Sequence, residues 1–475
     1  MNIERLYHLY LQHPSIQTDT RKLKDGDLFF ALKGPNFNGN QFALNALEQG
    51  AAYAVIDEAG GDDERLILVD DVLTTLQALA LHHRRQFDIP FIAITGSNGK
   101  TTTKELVYAV LASKYCTYTT VGNLNNHIGV PLTLLSVKKD AQFAVIEMGA
   151  NHQKEIESYC QYTLPTHGII TNAGKAHLEG FGGPEGVKKG KGELYAFLRQ
   201  HDGTAFVMWD YDYLREMSRG IPHILRYGTA DADITGVAES ADPGDSMRRG
   251  AGPESRSADP NTGKIGSAGS TGAADQAGSF LRVRITGGAD IGTISTQLVG
   301  DYNLPNVLVA VAVGKQFGVP DQLIRQSIEA YTPSNSRSQL IVRDSNHIIL
   351  DAYNANPSSM KAAIENFARM NAVGAVPDGR ERAGEAPPKK VLILGAMAEL
   401  GEESLQEHRQ IVELIGQYPW QQVVLVGGDF LRTSHPYLSF SNSREAGDWL
   451  RQAGLTDTWL LIKGSRSTKM EEVLG

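Results

Sequence analysis

The run FIAITGSNGKTTTKELVYAVLASKY, starting at Phe91, constrains the fold more than any other part of the chain. FIAITG reads as a strand, a glycine-bearing turn follows, and TTTKELVYAVLASKY reads as a helix. Gly96, Gly99, Lys100 and Thr101 make the pattern G-x-x-G-K-T between them. That order of elements is the setting of a phosphate-binding loop. Glycines let backbone N–H groups approach phosphate oxygens, Lys100 supplies a point charge to the β- and γ-phosphates, and the Thr101 hydroxyl can ligate Mg2+. The common spacing asks for glycine at position 94, where Ile94 stands, so the loop is a shorter variant and a generic GTPase or kinase is a weaker reading. An ordinary strand–turn–helix corner with exposed Lys and Thr is the alternative.

With 475 residues the chain exceeds a single hydrophobic core, and two to four domains are expected. Three blocks stand out. The first, 1–84, holds the short apolar runs DLFFAL and AAYAVID, which read as strands, alternating with helices such as QFALNALEQG. The second, 85–331, continues from the phosphate loop through FAVIEMG and HGIITNAG and closes on the helix DYNLPNVLVAVAVGKQFG. The third, 332–475, alternates the strands HIILDAYN, KVLILGAM, QVVLVGG and WLLIKGS with helices. Such alternation predicts an α/β chain of three domains. The central one has a mainly parallel sheet, and the last is a second doubly wound, Rossmann-like domain whose ligands bind at strand C-termini. Two stretches lack core character. About 239–279 is rich in Gly, Ser, Ala, Asp and Pro and is expected to be a disordered insertion; about 373–390 is expected to be a flexible loop.

Net charge is −9, from 45 basic and 54 acidic residues, against a nucleic-acid partner. Two cysteines, Cys116 and Cys160, fit neither a disulfide scaffold nor a metal-ligand pattern and suit a reducing cytosol. MNIERLYHLYLQHPS carries charge early and is not expected to be a secretion signal. No apolar run is long enough for a membrane span. A cytoplasmic monomer is expected.

A cation site is expected beside the loop. Glu147 ends the apolar strand of VIEMGANH, where a carboxylate can hold Mg2+, a hard ion that takes few protein ligands besides waters and phosphate. A strand-end surface charge is the alternative. His177 in TNAGKAHLEGFGG stands at another strand exit; a lone histidine is more often structural.

TGSNGKTTTKE, GNLNNHIGVPLTLL, AVIEMGANHQKEIE, TNAGKAHLEGFG, KGELY, YNLPN, DAYNANPSSM, LGAMAELGEES and KGSRSTKMEEV occur in the order seen in the Mur ligases. The resemblance covers nearly the whole chain apart from the two low-complexity stretches. YNANPSSM with LGAMAELGEES resembles the branch that joins D-Ala-D-Ala to UDP-N-acetylmuramoyl-tripeptide. It implies an ATP-dependent amide ligase acting through an acyl phosphate, in the cytoplasmic part of peptidoglycan precursor synthesis. Gly96, Ser97, Asn98, Gly99, Lys100, Thr101 and Thr102 would hold the ATP phosphates. Thr101 and Glu147 would hold one Mg2+ and His177 a second. Lys191 in KGKGELY matches a lysine these ligases carry as a carbamate; a solvated basic face of Lys188, Lys189 and Lys191 is the alternative.

Asn303 and Asn306 match asparagines on the adenine side of ATP. Arg337 resembles an arginine that reaches the nucleotide from the junction to the last domain. Asp351, Tyr353, Asn354 and Asn356 would face nucleotide and incoming amine, although NPSSM also fits a helix cap. The first domain resembles a UDP-recognising one. Thr20, Arg21 and Asn38 would meet the uridine diphosphate end, with an ordinary surface arginine beside Lys22 and Lys24 as the alternative. Asn123 and Asn126 of GNLNNHIG would touch substrate. Lys463, Ser465 and Arg466 could attract the carboxylate ends of the peptide substrates. Another Mur-type ligase or a folylpolyglutamate synthetase is the nearest competing reading, and a nucleotide-switched binding protein without ligase chemistry is the more distant one. The loop DAYNANPSSM separates the nearest competitors, because they carry other residues there.

Overall fold

The computed structural model describes residues 2–239, 280–333, 337–370 and 388–475. The stretch expected to be disordered, 239–279, lies outside the described residues except for Glu239, which ends a strand and pairs with Arg284 at 2.7 Å. The loop expected over 373–390 also lies outside them up to 387; its last residues, Lys389 and Lys390, already belong to a strand. The chain divides into two compact units, Met1–Asp233 with Leu308–Ile324 and Ile234–Val307 with Arg325–Gly475.

The first unit opens with the helix Ile3–Gln12, followed by a small parallel sheet of β1 (Ile16–Gln17), β2 (Leu28–Phe30), β3 (Tyr53–Ile56) and β4 (Leu66–Leu68), in that order. Phe29, Ala46, Leu47 and Ala54 close its core against the helix Ala43–Glu48. The helix Val72–Arg84 follows, with the Asp71 side chain accepting the Thr74 N–H at 2.6 Å as its cap. Its last residue is buried: Arg84 donates to the carbonyls of Thr163 and Leu164 and lies 3.8 Å over the Phe91 ring. That contact fixes where the next sheet starts.

That sheet contains β5 (Phe91–Thr95), β6 (Thr117–Thr119), β7 (Phe143–Glu147), β8 (His167–Ile170), β9 (Thr204–Met208) and β10 (His223–Gly228). They run parallel in the order β10-β9-β8-β5-β7-β6. Every residue of β5 and β7 is buried, as a strand covered on both faces requires. The chain leaves β5 toward β7 and β6 and later returns to the other side at β8, so the C-terminal end of β5 is a topological switch point, where open α/β sheets bind ligands. Helix α1 (Lys100–Ala112) starts one residue earlier than the sequence suggests and stops three residues sooner. Its expected last turn is claimed by tertiary contacts instead. Tyr115 packs on Phe143, and its hydroxyl donates to the Phe317 carbonyl at 2.6 Å.

His167, at the start of β8, lies against the rings of Phe206 and Phe317. Burial lowers its pKa from 6.5 to about 4. The neutral ring is therefore favoured in the fold. Its contribution is complete above the ordinary value and is lost as pH falls from 6.5 toward about 4. His167→Phe, which keeps an aromatic ring there, is expected to flatten the decline of the unfolding temperature over that window, as measured by calorimetry.

The second unit holds an antiparallel ladder and a six-stranded sheet. β11 (Ile234–Glu239), β12 (Phe280–Gly287) and β13 (Thr293–Val299) form the ladder. β14 (Gln339–Arg343), β15 (Asn346–Asp351), β16 (Lys389–Gly395), β17 (Gln422–Val426), β18 (Leu438–Phe440) and β19 (Thr458–Lys463) form the other, in the order β14-β15-β19-β16-β17-β18. Only β14 is antiparallel to its neighbour. Ile348, Ile393, Val424, Leu460 and Ile462 fill its core. No helix among the described residues is long and apolar enough to cross a membrane.

Candidate active site

Three loops meet at the switch point of the first unit, after β5, β7 and β8. The loop after β5 carries the glycine pattern. Gly96 has φ +143°, and a Cβ there would collide with Thr171 Oγ1. Gly99, at φ 80°, is left-handed and precedes α1. Both positions need glycine. The loop after β8 clamps this turn. Ser97 N–H donates to the Asn172 carbonyl at 3.0 Å and Asn98 N–H to Asn172 Oδ1 at 3.0 Å. Thr171 Oγ1 donates to the Asn98 carbonyl at 2.6 Å, and Ser97 Oγ to the Gly174 carbonyl at 2.8 Å. Lys100 Nζ rests on the carbonyls of Gly96 and Ser97 at 2.7 and 3.2 Å, at the mouth of the turn. Thr102 follows in the first turn of α1, whose N-terminus favours negative charge.

The loop after β7 supplies the carboxylate. Glu147 is 1% exposed. Its Oε1 accepts from Thr101 Oγ1 at 3.1 Å and from Asn125 Nδ2 at 2.8 Å. Its Oε2 is buried and has no hydrogen-bond partner among the described residues. A buried carboxylate oxygen aimed at no donor, beside a threonine hydroxyl and an anion-binding helix N-terminus, is the donor set a phosphate-linked Mg2+ takes. Asn125 was not among the expected site residues. GNLNNHIG offers three asparagines, of which Asn123 and Asn126 are the expected ones; Asn126 Oδ1 accepts the Ile128 and Gly129 N–H groups, and both residues are exposed.

His177 comes from the same loop as Asn172 and has φ 52°, at the start of the short helix Leu178–Phe181. Lys191 lies on α2 (Pro184–Gln200) and is 1% exposed. Its Nζ donates to the Ala150 carbonyl at 3.0 Å and lies 4.8 Å over the Phe181 ring. Burial, aided by the Lys100 cation, pushes its pKa well below the lysine range, against Glu155 and Glu193. Lys191 is therefore not part of a solvated face; Lys188, paired with Glu185 at 2.7 Å, and exposed Lys189 are.

In the small first sheet, Thr20 and Arg21 lie in a single 3-10 turn. The Arg21 side chain is 87% exposed and its fork grips Asp19 through two hydrogen bonds of 2.8 Å. Asn38 caps the turn that follows it, accepting Asn40 N–H at 3.0 Å, and donates to Glu58 at 2.9 Å.

In the second unit, Asn303 and Asn306 are buried. Asn303 Nδ2 donates to the Val299 carbonyl, and Asn306 Nδ2 donates to Asn303 Oδ1, each at 2.9 Å. Tyr302 bonds Ser338 Oγ at 2.9 Å, and the Ser338 N–H donates to Asp351 Oδ1 at 3.4 Å. Asp351 ends β15 and receives Lys463 Nζ, from the end of β19, at 2.6 Å. Lys463 is buried, so its ammonium serves Asp351 and the Asn354 carbonyl, at 3.3 Å, and does not face solvent. The ring of Tyr353 carries the Arg337 guanidinium at 3.6 Å and that of Arg466 at 5.4 Å. Asn356 caps the helix Pro357–Arg369 through a reciprocal bond with Ser359. Ser465 joins two loops, accepting the Ala398 N–H and donating to the Ala355 carbonyl. The second unit thus gathers Arg337, Asp351, Tyr353, Asn354, Lys463 and Arg466 at the C-terminal ends of β15 and β19.

Three stretches of the chain match known domains. Residues 14–84 match the "Mur ligase family, catalytic domain", 94–314 the "Mur ligase middle domain" and 336–466 the "Mur ligase, glutamate ligase domain". The chain is 30% identical over 479 residues to a UDP-N-acetylmuramoyl-tripeptide–D-alanyl-D-alanine ligase of Bacillus subtilis, covering 97% of this chain and 92% of the relative. It is 32% identical to the ligase of the same name in Escherichia coli, with the same coverage. A crystal structure of MurF from Acinetobacter baumannii superposes with a TM-score of 0.79 at 29% identity, over 97% of this chain and 92% of that one. With its three domain types in order and a chain-long relative at this identity, the protein belongs to the Mur ligase family.

Proposed function

We propose that the chain is an ATP-dependent amide ligase that joins D-Ala-D-Ala to UDP-N-acetylmuramoyl-tripeptide, releasing ADP and phosphate. The observation that carries this reading is the convergence of Thr101 and Asn125 on one oxygen of Glu147, beside the clamped turn Gly96–Lys100, in a chain similar end to end to ligases of that name. The cytoplasm as its compartment and action as a monomer complete the reading.

A carboxylate is a poor electrophile because its carbon carries no leaving group. In the proposed reaction a tripeptide carboxylate oxygen attacks the γ-phosphorus of ATP and ADP departs, leaving an acyl phosphate. The amine of D-Ala-D-Ala then attacks the acyl carbon, loses a proton, and phosphate leaves. The protein's part is to position the reactants and neutralise charge. Backbone N–H groups of the turn and the Lys100 ammonium would hold the phosphates. Thr101 and Glu147 would hold one Mg2+ and His177 a second. Bound there, Mg2+ supplies charge neutralisation on the transferring phosphoryl group. Lys191, whose buried surroundings disfavour the charged form, is suited to take up CO2: the neutral amine nitrogen would bond the CO2 carbon and a proton would leave. The Lys100 cation that opposes an ammonium there favours the resulting carbamate anion.

Residues 1–84 would receive the uridine diphosphate end through Thr20, Arg21 and Asn38, whose exposed guanidinium suits phosphate oxygens. Residues 85–331 would supply the phosphate site, Asn303 and Asn306 flanking the adenine. Residues 332–475 would bring Arg337 to the nucleotide and Asp351, Tyr353 and Asn354 to the amine. Arg466 is exposed and fits the terminal carboxylate of the dipeptide.

Glu147→Gln keeps an acceptor for Thr101 and removes the charge. It is expected to raise the Mg2+ concentration for half-maximal turnover about 10- to 100-fold, read from phosphate release against Mg2+. The reading itself is tested by phosphate release from ATP with the UDP-tripeptide and D-Ala-D-Ala, singly and together. Release that requires both supports it; release indifferent to either substrate favours a nucleotide-switched binding protein.

A further inference from the structure

Lys104 is among the most completely buried side chains of the molecule, at 1% exposure, although it lies one turn beyond the phosphate loop on α1. Its Nζ donates to the Thr120 carbonyl at 2.6 Å and pairs with Glu105 at 2.6 Å. Burying an ammonium is costly, and an apolar side chain of the same length would fill the space at lower cost. The partner explains what the charge is there to hold. Thr120 follows β6 and is itself buried; its Oγ1 accepts the N–H of Glu147 at 3.0 Å, and its own N–H donates to the Val145 carbonyl at 3.2 Å. Thr101 and Lys104 are three residues apart and so lie on one face of α1. One reaches the Glu147 carboxylate; the other reaches the residue that fixes the Glu147 backbone.

We propose that Lys104 is a positioning residue that acts through Thr120 to hold Glu147 in register with Thr101, and so sets the metal affinity of the phosphate site. The inference rests on the proposed function in taking Glu147 as a metal carboxylate. α1 is thereby locked to the strand end at two points, one through the side chain of Glu147 and one through its amide. Without the second, Glu147 keeps its hydrogen bond to Thr101 but not a fixed distance from the phosphates.

The test uses the full chain with ADP and Mn2+, following free Mn2+ by electron paramagnetic resonance. In Lys104→Met the dissociation constant for Mn2+ is expected to rise about tenfold, while ADP binding without metal stays unchanged. Thr120→Val, which removes only the hydroxyl, is expected to shift Mn2+ binding the same way, and Thr120→Ser to restore it. The double variant is expected to be no weaker than either single one. A merely structural role would lower the unfolding temperature and leave the Mn2+ titration in place. Folded variants that bind Mn2+ as the unsubstituted protein does overturn the inference. Should Lys104→Met fail to fold, Thr120→Val and Thr120→Ser decide by the same criterion. Phosphate release by the unsubstituted protein is run alongside. If that fails, the ligase reading falls; if it succeeds and the variants bind metal normally, only the role of Lys104 does.

Discussion

Replacing Lys100 with alanine is expected to lower ligation at least about a thousandfold and to leave the unfolding temperature close to that of the unsubstituted protein. The size of the effect follows from where the ammonium sits. Its Nζ lies on the carbonyls of Gly96 and Ser97, at the rim of a turn whose backbone is already fixed by Asn172 and Thr171. The turn does not need Lys100 to keep its shape, so alanine removes charge from the site and little from the fold. Its loss is felt most as the phosphoryl group departs from ADP and charge redistributes over the phosphate oxygens. The check is a pair of measurements, phosphate release and calorimetry, on one preparation. Activity within tenfold of the unsubstituted protein would take Lys100 out of the chemistry.

The second large effect is expected at Lys191. Methionine has nearly the same length and no amine. Lys191→Met is expected to lose about a hundredfold or more in turnover, with stability unchanged or raised, because a buried thioether needs no hydrogen-bond partner. A structural lysine would show the opposite pattern, with destabilisation and little change in turnover. The unsubstituted protein stripped of CO2 is expected to lose activity and to recover it with bicarbonate, whereas Lys191→Met responds to neither. Isotopic CO2 would add a carbamate signal in the nuclear magnetic resonance spectrum of the former alone.

The phosphate loop was legible because strand, glycine spacing and Lys-Thr are local. The structure adds why Gly96 is needed, which depends on Thr171, more than seventy residues away, and why Gly99 is, which depends on its left-handed backbone. Glu147 was legible as the last residue of an apolar strand. Asn125 was not, since three asparagines within four positions look alike until the fold decides which one faces the carboxylate and which accepts the Ile128 and Gly129 N–H groups. KGSRSTK, rich in charge, suggests that Lys463 attracts a substrate carboxylate; parallel pairing of β15 with β19 aligns it with the Asp351 carboxylate instead, and it is buried. The pairing of β11 with β12 is not legible in the sequence, because the low-complexity stretch separates the two strands and leaves no short-range turn signal between them. Lys104 was hidden for a related reason. In TTTKE it looks like one more charged helix residue, and only the position of Thr120 shows what it holds.

The central claim is that this site activates a peptide carboxylate by transferring a phosphoryl group to it. The most direct measurement follows a heavy oxygen isotope placed in the terminal carboxylate of UDP-N-acetylmuramoyl-tripeptide. Through an acyl phosphate, one labelled oxygen leaves with each phosphate released, and mass spectrometry of that phosphate is expected to show the label after a complete reaction with ATP and D-Ala-D-Ala. Amide formed while the phosphate stays unlabelled, its oxygen drawn from water, would contradict the account.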